Sequence, residues 1–160
     1  MITLDDKQFE REKRRVKRAF RRLRPRLWAG WWAWDIVYDR YPDDHHNETG
    51  KEVNASITAD WRYRQAVITF YMPAIAEMGD EELDMVIIHE VLHAWVNPMR
   101  PRAPKPHEVD LEENVVTNLT SVHVCTYLLG IKEGRRLERK ERAGKKKSTR
   151  TTARHSKLRR

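Results

Sequence analysis

VIIHEVLHAW, residues 86–95, places two histidines four positions apart with a glutamate directly after the first. On a helix, residues i and i+4 share a face about one turn apart, so the imidazoles of His89 and His93 can close on one ion from the same side. Glu90 is rotated by about 100° from His89, which sets its carboxylate beside that ion rather than on it. A catalytic zinc takes three protein ligands and leaves one position for water, and a carboxylate next to that water can act as general base. Around these residues Met85, Val86, Ile87, Ile88, Val91, Leu92 and Trp95 point in nearly every direction. The helix is therefore expected to be buried on most sides. Two histidines and a glutamate buried there without partners would cost about 1–3 kcal/mol each. A single metal ion satisfies all of them.

Working outward, Gly79 or Asp80 starts this helix, with Glu81 and Glu82 favourable in its first turn, and the helix runs to about Val96. The proline-rich stretch NPMRPRAPKPH reads as a stiff loop, followed by a long helix from about Asp110 to Leu129. The third ligand is expected from DLEENVVTNL. If Val115, Leu119 and Val122 form the buried face, Glu112 lies at its edge and Glu113 points away, so Glu112 is preferred with Glu113 as second choice. His107, in the proline loop, is a further possibility.

Upstream, Trp34 to Tyr41, VNASITAD and QAVITFYM read as strands by their β-branched and aromatic content, the last two joined as a hairpin through Trp61, Arg62 and Tyr63. Trp28, Trp31, Trp32 and Trp34 read as core, with a base-stacking platform as the alternative. PDDHHNETGK, with His45 and His46, reads as a solvated loop. Before the tryptophans, Thr3 and Asp6 have the spacing of a helix start, and Phe9, Val16, Phe20, Leu23 and Leu27 form one narrow apolar stripe ending near Pro25.

Charge divides the chain into blocks. Residues 7–26 hold 11 Lys/Arg against 2 acids, residues 27–131 hold 7 against 17, and residues 132–160 hold 14 against 3. An acidic core thus lies between two basic ends. The N-terminal stripe is expected to dock on the core with its cations solvated, or else to hold phosphates. The C-terminal tail has almost nothing to bury and is expected to be disordered. Its cations, among them Arg135, Arg136, Lys145, Lys146 and Lys147, would bind nucleic acid non-specifically at low salt. Cys125 is the single cysteine, which excludes an internal disulfide and a cysteine-rich zinc ribbon. No apolar run approaches the roughly 18 residues of a membrane span, and the charged N-terminus lacks the apolar segment of a signal peptide. A cytoplasmic protein is expected.

HEVLH followed by a glutamate on a second helix looks like the gluzincin arrangement of zinc metallopeptidases. More narrowly, a tryptophan-led strand, YRQAVITF, IIHEVLHAW and EENVVTNL resemble the small phage-type zincin-like metallopeptidases. The chain is also similar to the minimal ImmA/IrrE- and SprT-type domains, without their zinc ribbon where they have one. The resemblance covers roughly residues 34–129. It implies a host-cell cytoplasmic enzyme with one zinc, cleaving a peptide or protein substrate with Glu90 as base. It further implies that QAVITFYM is the sheet edge that an extended substrate joins. A second oxyanion donor is expected, with Tyr63, Tyr71 and His107 as candidates and His123 too far along its helix.

The expectation is a single α+β domain: a basic amphipathic helix over residues 1–27, a zincin-like core over 28–131 and a basic tail over 132–160. The core would be a small, mostly antiparallel sheet packed on the HExxH helix and a second ligand-bearing helix. The rival reading is a nucleic-acid-associated binding or assembly protein with inert or structural zinc.

Overall fold

The computed structural model describes residues 4–27, 29–41, 53–99, 104–127, 130 and 133. Trp28, His45 and His46, and the tail cations Arg135, Arg136, Lys145, Lys146 and Lys147 lie outside the described residues. The chain divides into two compact units, Met1–Ser121 and Val122–Arg160. The first holds every element that bears on the site.

Helix α1 (Asp6–Leu23) starts in a capping box. The Asp5 carboxylate accepts from the Gln8 N–H at 2.7 Å, and the Gln8 side chain accepts from the Asp5 N–H at 3.1 Å. The start is thus two residues beyond the expected Thr3–Asp6 pair, because Gln8 reaches back to the cap as the motif requires. The helix ends before Pro25, and tight turns over Arg24–Leu27 and Ala29–Trp31 lead to strand β1 (Ala33–Asp39). Strands β2 (Ala55–Asp60) and β3 (Gln65–Tyr71) follow. Then come a short helix α2 (Met72–Glu77), the long helix α3 (Asp80–Val96) and helix α4, which covers residues 106–121 of this unit.

The molecule is α+β, as expected, and its sheet is mixed rather than mostly antiparallel. The strand order is β1-β3-β2, with β1 parallel to β3 from Ala33↔Gln65 to Asp39↔Tyr71 and β2 antiparallel to β3 from Ala55↔Phe70 to Asp60↔Gln65. QAVITFYM is therefore the central strand and not the edge. Alternation explains why: Ala66, Ile68 and Phe70 are buried, and β3 needs a neighbour on each side to satisfy its backbone groups. The strand also stops at Tyr71, because Pro73 favours the first turn of a helix and starts α2.

α3 lies across the core between α1 and the sheet. Leu83, Ile87, Ile88, Val91, Leu92 and Ala94 are buried, while Met85 and Trp95 are half exposed. Its N-terminus is held by the Glu82 carboxylate, which accepts from the Gly79 N–H at 2.7 Å. α1 docks its stripe, Phe9, Val16, Phe20 and Leu23, into the same core, and Phe20 meets the edge of Trp34 at 5.6 Å. The tryptophans divide: Trp32 is buried, Trp34 is partly buried with its indole N–H donating to Ala29 O at 2.8 Å, and Trp31 is 79 % exposed.

Two expectations for α4 change. It starts at residue 106, not near Asp110, because Pro106 fits the first helical position and the Glu108 carboxylate accepts from the Lys105 N–H at 2.7 Å. Its buried face is Glu112, Val116 and Thr120, whereas Val115 and Leu119 are exposed. In the second unit, residues 122–127 are helical, and Val122 and Cys125 are exposed. Among the described residues no helix is long and apolar enough to cross a membrane.

Candidate metal centre

α3 supplies His89 and His93 on one face, one turn apart, as their spacing requires. Their Nε2 atoms lie 3.1 Å from each other. α4 supplies Glu113, whose carboxylate oxygens lie 3.4 Å from His89 Nε2 and 3.3 Å from His93 Nε2. The ligand atoms of His89, His93 and Glu113 all fall within 4.8 Å of one another, and among the described residues these form the group able to hold a metal. Glu112, the residue preferred from sequence, is not in that group. Its Oε1 lies 2.9 Å from Nδ1 of His93.

Glu112 and Glu113 are adjacent in sequence, and the rotation of α4 decides which of them faces the histidines. Val115, Leu119 and Val122, the apolar residues of the expected buried face, are exposed. α4 is turned the other way, which carries Glu113 to the histidines and puts Glu112 behind one of them. The opposing signal was Glu112, Val116 and Thr120 at four-residue spacing. The Thr120 hydroxyl donates to Val116 O at 2.8 Å and so tolerates burial.

The donor set fits a small divalent cation. Glu112 faces Nδ1 of His93 at 2.9 Å, so a metal-binding tautomer would carry its proton on Nδ1, towards Glu112, and turn the Nε2 lone pair to His89 and Glu113. A ligating histidine oriented by a carboxylate on its other nitrogen is the usual support of a metal site. Zinc–nitrogen distances of about 2.0–2.1 Å in a tetrahedron separate neighbouring donor atoms by about 3.4 Å. The 3.1 Å between the two Nε2 atoms lies close to that separation. Glu113 meets the two rings through different oxygens, at 3.3 and 3.4 Å, and with one atom per residue the three donors lie within 4.8 Å. One proton can lie between only two of these inward-facing atoms, whereas a central cation meets all of them.

Burial is uneven. The His93 and Glu112 side chains are nearly enclosed, while that of Glu113 is 52 % exposed, so the group opens to solvent on one side. Burial draws the His93 imidazole towards neutrality, but the hydrogen bonds to Glu113 and Glu112 outweigh it and raise its pKa. Those same bonds from His89 and His93 hold the Glu113 carboxyl well below the usual range. Glu90, next on α3, is buried, and that burial pushes its carboxyl up to about 6 against the opposing pull of His93 and His89.

Tyr63 is exposed in the turn between β2 and β3. Tyr71 is buried at the end of β3, its hydroxyl 3.3 Å from Ser56 Oγ. His107 is exposed in the first turn of α4 and does not belong to the metal group. His123 is exposed in the second unit.

No protein-family model, curated protein or solved structure matches this chain.

Proposed function

We propose that the protein is a zinc-dependent peptidase. The observation that carries this reading is the convergence of His89, His93 and Glu113 donor atoms, with the buried Glu90 carboxylate at the adjoining helical position. His89, His93 and Glu113 would hold the ion, and Glu112 would fix the ring of His93. Zinc bound there supplies a Lewis acid and lowers the pKa of a water molecule. Glu90 takes the proton of the attacking water and returns it to the leaving amine nitrogen. Its raised pKa suits both halves of that task at neutral pH.

QAVITFYM, the strand expected to receive a substrate, is not at an edge of the sheet. β3 is paired on both sides, so an extended peptide is received on the outer edge of β2. Ile57 and Ala59 of β2 pack against the cluster containing Ala94, the neighbour of His93, which favours β2 over β1 as the receiving edge.

The test is Glu90→Gln measured on a mixed peptide library, with metal content determined in parallel. An enzyme of this kind loses turnover by about 10²-fold or more while keeping its zinc. Equal turnover in the variant and the parent excludes Glu90 as base. Absence of turnover in a zinc-loaded parent, over peptide, protein and non-peptide substrates, favours an assembly protein with structural zinc.

A further inference from the structure

The end of the sheet where β2 turns into β3 carries a surface that the metal centre does not use. Trp31, Trp61 and Tyr63 are 79, 47 and 74 % exposed. Two of these rings carry guanidinium groups: Arg64 stands 5.8 Å from the centroid of Trp31, and Arg62 stands 6.0 Å from that of Trp61. Arg64 joins the turn to β1, since its carbonyl accepts from the Ala33 N–H at 2.8 Å. It holds a φ of 52°, a left-handed conformation that favours glycine or asparagine. Single exposed aromatics are ordinary, but a group of them under arginines marks a binding surface. Such rings offer flat faces to other flat rings, and the guanidinium groups add positive charge beside them.

A second feature points the same way. On α1, Lys7, Arg14, Arg18 and Arg21 repeat at helical spacing on the side opposite the buried stripe, and all are exposed. Arg15 and Arg22, at the flank of that face, are spent on Asp80 and Asp84 of α3. Among the described residues no carboxylate pairs with Lys7, Arg14, Arg18 or Arg21. The row from Lys7 to Arg21 runs for roughly 21 Å along the helix.

We propose that this surface binds single-stranded nucleic acid. Bases stack on Trp31, Trp61 and Tyr63, while phosphates meet Arg62, Arg64 and the outward cations of α1. A duplex would keep its base faces hidden from the rings. A membrane surface would need the apolar stripe of α1 to insert, and that stripe is buried in the core. This inference is independent of the metal centre.

The test uses the full chain and fluorescence anisotropy with a labelled oligothymidylate of about 20 nucleotides, long enough for several stacking sites. Trp31→Ala combined with Tyr63→Ala is expected to weaken binding by about tenfold or more and to leave the salt dependence unchanged. Arg14→Gln, Arg18→Gln and Arg21→Gln together are expected to lower the slope of log affinity against log salt by about 2. These side chains are exposed, so both variants retain the parent's circular dichroism. Parental affinity in both variants would overturn the proposal and assign any binding to the tail. Equal affinity for a blunt duplex, or binding to phosphatidylserine vesicles in place of the oligonucleotide, would also overturn it.

Discussion

Glu112 and Glu113 are neighbours in sequence and meet different atoms of the same imidazole: Glu112 at Nδ1 of His93, Glu113 at Nε2. That difference predicts a graded outcome. Glu113→Gln removes a proposed ligand and should abolish stoichiometric zinc retention. Glu112→Gln removes the support of one ring and should weaken zinc binding by about 10–100-fold. Competition against a chromogenic zinc chelator checks both, and the reverse order would return the ligand role to Glu112. Arg64 yields a second prediction at this scale. A non-glycine residue in the left-handed region costs about 1 kcal/mol, so Arg64→Gly should raise stability by about 0.5–1 kcal/mol in urea unfolding. The same change should weaken oligonucleotide binding. The pair of histidines and Glu90 were legible from sequence because helical spacing alone fixes them. The choice between adjacent glutamates was not, because it depends on how α4 is rotated, and its apolar residues favoured the wrong face.

Among the elements, α1 owes its place to a buried charge as much as to its stripe. Glu12 is buried, 2.8 Å from Arg11 and 2.7 Å from Arg15. Arg15 also donates to Ile75 O, Met78 O and Asp80, which pins α1 to the end of α2 and the start of α3. Glu12→Ala should therefore cost about 1.5–3 kcal/mol, because it removes the Arg11 and Arg15 bonds while Arg15 keeps Asp80 and two carbonyls. Phe20→Ala should cost about 3–5 kcal/mol through the cavity beside Trp34. Both are read from urea unfolding midpoints. Burial raises the Glu12 carboxyl, but the hydrogen bonds from Arg15 and Arg11 outweigh it and hold its pKa below the ordinary 4.5. A carboxyl depressed in the folded state contributes stability that is present above its unfolded value and is lost as pH falls through the folded one. Stability should thus decline below about pH 4.5, and Glu12→Gln should flatten that decline. The apolar stripe of α1 was legible because its period is helical. Its buried glutamate was not, since a charged residue beside a stripe reads as solvated until its partners are known. The order of the strands was equally hidden: periodicity identifies β1, β2 and β3, but their pairing depends on which two of them flank the most apolar one.

At the scale of the whole molecule, α1, the sheet and α3 share one core, and α4 contributes Val116 to it along with both glutamates of the site. Metal binding at the proposed site would then be linked to folding, because His89 and His93 on α3 meet Glu113 on α4 only when the helices are packed. Zinc at about a thousandfold excess over its dissociation constant should stabilise the fold by about 4 kcal/mol. Differential scanning calorimetry with and without zinc measures this. A melting temperature indifferent to zinc in the parent, as in Glu113→Gln, would separate the fold from the site. The most direct test of the metal centre is elemental analysis of the purified chain beside its His93→Ala and Glu90→Gln variants, after zinc is offered and excess removed. One zinc per chain in the parent and in Glu90→Gln, and none in His93→Ala, is the expected result; a parent that retains no zinc would contradict the account.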